Sequence, residues 1–157
     1  MELICKKAKT LGKQRLQEIA DFIELHYDAP DHLKISADDL ITSDLFCIVG
    51  LRNVLRNVLG ADELVLVSFF KVITPTLART QTTVIHSDYR GQGLGTKFNE
   101  FLEEKLTDLG VEKITTNIYT DNLPSLILKL KRGYIVEGTL YDHDELGKHE
   151  YIVGKFL

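Results

Sequence analysis

Three glycines spaced two apart, Gly91, Gly93 and Gly95, fall within Tyr89-Arg90-Gly91-Gln92-Gly93-Leu94-Gly95-Thr96. The residues before them, Thr82-Thr83-Val84-Ile85-His86, are β-branched and extended in character. After them Leu94, Phe98, Phe101, Leu102, Leu106 and Leu109 recur at helical spacing. The unit therefore reads as strand, glycine loop, helix. A helix that starts from such a loop leaves its first backbone N–H groups without intrahelical partners, and its dipole adds positive potential at the same place. The chemistry such an arrangement supports is anion binding, most often of a phosphate. Glycines lack a Cβ, so a ligand can approach their backbone closely. Without a ligand the same segment would be a glycine-rich turn.

Spacing separates the phosphate ligands. A nucleotide P-loop needs G-x-x-x-x-G-K-[ST], and counting from Gly91 the second glycine position holds Thr96. The dinucleotide fingerprint G-x-G-x-x-G fails at the same residue. The pattern that fits is [Q/R]-x-x-G-x-[G/A], filled by Arg90, Gly93 and Gly95. With Ile85-His86-Ser87-Asp88-Tyr89 before it, this stretch closely resembles the acyl-CoA loop of the GNAT N-acetyltransferase superfamily. A second match lies downstream. In that family an asparagine opens the helix after the following strand, and Gly-Phe or Gly-Tyr closes it. Here Asn122 opens and Gly133-Tyr134 closes. The family often places a tyrosine on this helix as the general acid for the CoA thiolate, and that position holds Lys129.

The resemblance implies a single acetyltransferase domain over residues 1–157 with acetyl-CoA as acyl donor. It implies an α/β (α+β) fold, a mixed, mostly antiparallel central sheet flanked by helices. The CoA pyrophosphate would lie on Arg90, Gly91, Gln92, Gly93, Leu94, Gly95 and Thr96. The pantetheine would pair with the edge of Thr83, Val84 and Ile85, as an added strand does. Asn122 would also contact the cofactor. The Ile85 N–H would polarise the thioester carbonyl, a donor whose loss costs roughly 3–4 kcal/mol of barrier. By the same resemblance the acceptor would be a primary amine of a small molecule or peptide, attacking directly in a ternary complex.

Proton transfer is less well specified by residue type. Ser125 and Lys129 are four apart on one helix face. Ser125 could donate a hydrogen bond to the departing thiolate and Lys129 could stabilise it by charge, with Tyr119 as another donor. By type alone Lys129 also reads as a solvated helix lysine that reaches a CoA phosphate. Tyr134 fills the family's core aromatic position. An amine of pKa about 10.4 is neutral in only about one molecule in a few thousand at pH 7, so a base or water relay is needed. Thr82, Thr83 and Asn117 stand where relatives carry a strand glutamate, and none of them is a base. Histidine titrates nearest neutrality, which makes His143, in Tyr141-Asp142-His143-Asp144-Glu145, the candidate base or else part of a solvated hairpin loop. His26 and His32 could line the acceptor site or be plain surface histidines, and His86 reads as structural.

Composition bounds the alternatives. The 157 residues are 44% hydrophobic and 27% charged, which is that of an ordinary globule. A net charge of −4 argues against nucleic-acid partners, hence against acetylation of charged tRNA. Two cysteines without CxxC or metal spacing point to free thiols, no metal and a cytoplasmic protein. Met1–Lys7 carries charges where a signal peptide would be apolar, and Leu64–Phe70 is too short to span a membrane. Exposed sheet edges allow a homodimer. The rival reading from a different class is a GNAT-fold acyl-CoA sensor or scaffold without catalysis.

Element by element, Glu2–Ala8 reads as a strand and Leu11 to His26 as a helix capped by Thr10, ended at Ala29-Pro30-Asp31. Ser36-Ala37-Asp38-Asp39 starts a short helix. Phe46–Val49 reads as a buried strand and Leu51–Leu59, by its spacing, as a short helix with Gly60 as its cap, whereas the family resemblance implies two hairpin-linked strands here. Glu63–Ile73 and Leu77–His86 are strands broken at Pro75. The central helix ends at Gly110, followed by a strand at Val111–Thr120, a helix at Asn122–Lys131, and a closing hairpin of Tyr134–Tyr141 with Glu150–Phe156.

Overall fold

The computed structural model describes residues 1–27, 35–52 and 63–157. Seven strands, β1 (Glu2–Lys7), β2 (Phe46–Arg52), β3 (Glu63–Thr74), β4 (Leu77–Ile85), β5 (Lys113–Tyr119), β6 (Ile135–Leu140) and β7 (Glu150–Phe156), form one sheet in the order β1-β2-β3-β4-β5-β7-β6. Among the described residues four α-helices accompany them: α1 (Lys13–His26), α2 (Ala37–Thr42), α3 (Leu94–Asp108) and α4 (Leu123–Lys131). The β1–β2, β2–β3, β5–β7 and β6–β7 pairs are antiparallel, while β4 and β5 run parallel. Parallel neighbours need a crossover connection, and α3 supplies it.

The residues group into two compact units, Met1–Lys71 with Thr82–Leu94, and Val72–Gln81 with Gly95–Leu157. In the first, the stripe Leu16, Ile19, Phe22 and Ile23 of α1 is buried with Ala8, Leu40, Cys47, Val49, Val67, Phe69 and Val84. Burying such side chains stabilises by roughly 1.5–3 kcal/mol each. Neither Cys5 nor Cys47 is in a disulfide. Burial pushes the Cys47 thiol up to about 12, so it is inert at neutral pH. In the second unit Phe98, Leu102 and Leu106 of α3 are buried, as are Ile114, Ile118, Tyr134 and Val153. Leu109 lies past the end of α3 and is exposed.

The helix ends follow local chemistry. Ser36 and Asp39 form the expected reciprocal box on α2: the Asp39 N–H donates to Ser36 Oγ at 3.2 Å and the Ser36 N–H to Asp39 Oδ2 at 3.0 Å. Ser36→Ala is expected to lower unfolding free energy by about 1 kcal/mol, measured by urea denaturation. The cap of α1 differs from expectation. Residues Ala8–Thr10 form a 3-10 turn in which the Thr10 hydroxyl donates to the Lys7 carbonyl at 2.7 Å. That leaves Gly12 as a cap without a side-chain bond. Gly110 ends α3 with φ +78°, its N–H bonded to the Thr107 carbonyl at 2.9 Å.

The reading of Leu51 and Arg52 as the start of a helix is corrected. They extend β2, paired to Leu64 and Glu63 beyond an irregularity at Gly50/Leu51. Cross-strand pairing overrides their helical spacing. The rest of that helix with its Gly60 cap, the Ala29-Pro30-Asp31 stop and His32 lie outside the described residues. No helix among the described residues is long and apolar enough to cross a membrane.

Candidate active site

The glycine loop joins the end of β4 to α3. Gly91 and Gly93 have φ +73° and +78°, left-handed values that other residues rarely adopt, and a Cβ on either would meet open space. The loop is anchored by its side chains. The Arg90 guanidinium donates to the Ile85 carbonyl at 3.0 Å and to the His26 carbonyl at 2.7 Å. The Gln92 amide donates to the Asp88 carbonyl at 2.8 Å. Tyr89 donates its hydroxyl hydrogen to Glu63 at 2.8 Å and accepts from Arg52 at 2.9 Å. With Arg90 and Gln92 committed in this way, the groups the loop offers to a ligand are backbone N–H groups, including those of the first turn of α3.

His86 proves structural, as expected. Its Nδ1 accepts from the Asp88 N–H at 3.2 Å, and its ring lies 4.0 Å from that of His26. The His26 ring also packs at a tilt against Phe22, ring centres 4.7 Å apart. Burial, then the neighbouring His86 and Arg90, lower the His26 pKa, so it is neutral at physiological pH.

The β4 edge follows from one bond. The His86 N–H donates to the Val65 carbonyl of β3 at 3.0 Å. Successive N–H groups of an extended chain point to opposite edges, so the N–H groups of Thr83 and Ile85 face away from β3. The register of β4 with β5 runs from Leu77↔Lys113 to Thr80↔Thr116, short of Thr83. Thr83 itself is exposed and bonds Ser68 through its hydroxyl at 2.8 Å.

In the second unit Asn122 caps α4, accepting the Ser125 N–H at 3.3 Å, with Pro124 in the first turn. Ser125 is half-buried. Lys129 is not the solvated lysine its type suggests. It is 6% exposed, its ammonium donates to Asn99 Oδ1 of α3, and it lies 4.5 Å from the centre of the Tyr134 ring. Burial pulls its pKa down to about 8 against the raising influence of Glu103. Arg132 grips Glu103 with two bonds of 3.2 and 3.0 Å, and Lys155 adds a third at 2.7 Å. Burial alone would raise the Glu103 carboxyl, but these hydrogen bonds hold it low. Tyr134 is core, as expected; burial, then the nearby Glu103 carboxylate, push its phenol up, and its hydroxyl makes no hydrogen bond of ordinary geometry.

A carboxylate missed by sequence reasoning stands beside Asn117. Glu150 opens β7 opposite Tyr119, is buried, and accepts from Asn117 Nδ2 at 3.1 Å. Tyr119 donates to Asp144 at 3.1 Å. Ligand atoms of His143, Asp144 and Glu150 lie within 4.8 Å of one another, so the three could share a proton or face a cation. The strand glutamate sought on β4 or β5 is absent there, and a neighbouring strand brings one to Asn117. Strand order, which local spacing does not encode, decides this.

A sequence profile of the acetyltransferase (GNAT) family matches residues 13–134, a span that holds the glycine loop, α3 and α4. The chain belongs to the GNAT acetyltransferase family. This family uses acetyl-CoA. Solved GNAT structures share the fold. The aminoglycoside 6'-N-acetyltransferase from Enterococcus faecium is 14% identical with a TM-score of 0.74, covering 99% of this chain and 97% of that one. The ribosomal-protein-S18-alanine N-acetyltransferase from Escherichia coli is 13% identical with a TM-score of 0.73, covering 99% and 94%. An aminoglycoside 6'-N-acetyltransferase complexed with coenzyme A is 15% identical with a TM-score of 0.69, covering 98% and 96%. At such identities the likeness to these structures is one of fold. No curated protein sequence matches the chain.

Proposed function

We propose that residues 1–157 form one acetyltransferase domain that moves an acetyl group from acetyl-CoA to a primary amine of a small molecule or peptide. The observation that carries this reading is the junction of β4 and α3, where two left-handed glycines open directly into the helix N-terminus. The pyrophosphate binds the backbone N–H groups of Gly91 to Thr96. The pantetheine lies along Thr83, Val84 and Ile85, whose outward N–H groups fall beyond the β5 register. The Ile85 N–H polarises the thioester carbonyl and stabilises the oxyanion formed when the amine attacks. The carbon–sulfur bond then breaks as the carbon–nitrogen bond is kept, Ser125 hydrogen-bonds the departing thiolate, and the sulfur takes the second proton released by the attacking nitrogen to leave as the CoA thiol. Asn122 caps the start of α4, the helix that carries Ser125.

Glu150 takes the proton from the acceptor ammonium, directly or through a water, with His143 and Asp144 able to pass it on. Its buried carboxylate accepts from Asn117 Nδ2 and lies beside His143 and Asp144, which places an acceptor oxygen next to groups that relay a proton. Glu150→Gln is expected to lower kcat about a hundredfold, within the range for a general base, with acetyl-CoA affinity unchanged. Steady-state kinetics with calorimetric binding separate the two quantities.

The decisive experiment follows release of the CoA thiol from acetyl-CoA over a panel of polyamines, aminoglycosides, amino acids and peptides with free N-termini. Amine-dependent release supports the reading. Tight acetyl-CoA binding with no release for any amine would instead make the chain an acyl-CoA sensor or scaffold.

A further inference from the structure

Two buried polar side chains meet on the helices of the second unit. Asn99 sits inside α3, where asparagine is a weak helix former, and it is 2% exposed. Its Oδ1 receives the Lys129 ammonium and its Nδ2 donates at 2.7 Å to the carbonyl of Gly95, the last glycine of the loop motif. Both ends of the amide are thus used, and two hydrogen bonds connect Lys129 to the start of α3. The charged groups around the ammonium are Glu103 on α3, Arg132 after α4 and Lys155 on β7. Glu103 is itself taken by Arg132 and Lys155. The hydrogen-bond acceptor shown for Lys129 is therefore a neutral amide, backed by the face of Tyr134.

We propose that Lys129 is a positioning residue for acetyl-CoA: through Asn99 it fixes the Gly95 carbonyl, and with it the first turn of α3, in the form that binds pyrophosphate, and its positive charge favours the bound anion. The inference rests on the assignment of acetyl-CoA to Gly91–Thr96. A charge-assisted hydrogen bond is roughly twice as strong as a neutral one, so loss of the proton loosens the link. An anion on the loop favours the charged form, and by reciprocity the charged form favours the anion. The lowered pKa of Lys129 brings this change within reach of ordinary buffers.

The test is calorimetric titration of acetyl-CoA from about pH 7 to 9.5, a window in which its phosphates stay fully ionised. Wild-type affinity is expected to fall about tenfold across the window. Lys129→Met should bind about tenfold more weakly at pH 7 and hold that affinity across the window. Other groups that titrate there remain in the variant and are cancelled by the comparison. Asn99→Asp places a carboxylate on the ammonium, so its midpoint should move to higher pH while binding weakens through loss of the Gly95 bond. Wild-type affinity independent of pH overturns the inference. So does the same pH slope in Lys129→Met, or an unmoved midpoint in Asn99→Asp. Wild type that binds no acetyl-CoA at pH 7 sinks the loop assignment itself, a different failure from binding that ignores Lys129.

Discussion

Gly93→Glu is expected to weaken acetyl-CoA binding by at least about a hundredfold while the protein stays folded. The left-handed backbone at Gly93 costs a non-glycine residue roughly 1–2 kcal/mol. A Cβ at Gly93 would meet open space beyond its chain neighbours, so the fold is expected to survive the substitution. The carboxylate, however, occupies the space the loop keeps for phosphate. At about 4 Å a like-charge pair near a protein surface repels by about 4 kcal/mol, and about 2.7 kcal/mol already corresponds to a hundredfold. Gly93→Ala carries the backbone strain without the charge, so the difference between the two variants isolates the electrostatic effect. Calorimetry reads the affinity and thermal melting reads the fold. Equal affinities for the alanine and glutamate variants would mean that no anion binds there.

Glu103→Gln is expected to destabilise the protein by about 2 kcal/mol, the scale for losing charge-assisted bonds at a half-buried site. Glu103 is the shared acceptor of Arg132 and Lys155, and it raises the pKa of Lys129. Without its charge, Lys129, Arg132 and Lys155 remain close together, with Glu100 3.2 Å from Arg132. The pH dependence follows from the sign of the shift. The Glu103 carboxyl is held below its ordinary value of 4.5, so its stabilisation is complete above that pH and is lost as pH falls through the folded value. Urea unfolding of wild type should therefore show an acid decline that is shallower in Glu103→Gln. Equal unfolding free energies at neutral pH would show that the cluster contributes nothing.

The parts of this molecule that could be read from residue order are those with local periodicity. The α1 and α3 stripes, the Ser36–Asp39 box, the Gly110 and Gly133 stops and the Asn122 cap all rest on neighbours within one or two turns. The glycine loop was legible for the same reason, since Gly91 and Gly93 announce positive φ. What escaped depends on strand order and tertiary packing. Leu51 and Arg52 have helical spacing but pair with β3. Lys129 looks solvated by type and is buried because Asn99, thirty positions earlier, comes to meet it. Glu150 is silent in its own segment and acquires meaning beside Asn117, thirty-three residues away. Thr10 failed as a cap because Ala8–Thr10 form a 3-10 turn, which moves the start of α1 to Lys13 and puts Gly12 at the cap position.

The central claim is that backbone N–H groups of the loop and of the β4 edge hold acetyl-CoA. The most direct measurement is a titration of the isotopically labelled protein with acetyl-CoA, following each backbone amide by nuclear magnetic resonance. The account predicts saturable shifts that are largest at Thr83, Ile85 and Gly91 through Thr96. Saturable shifts centred elsewhere, or none at millimolar acetyl-CoA, would contradict it.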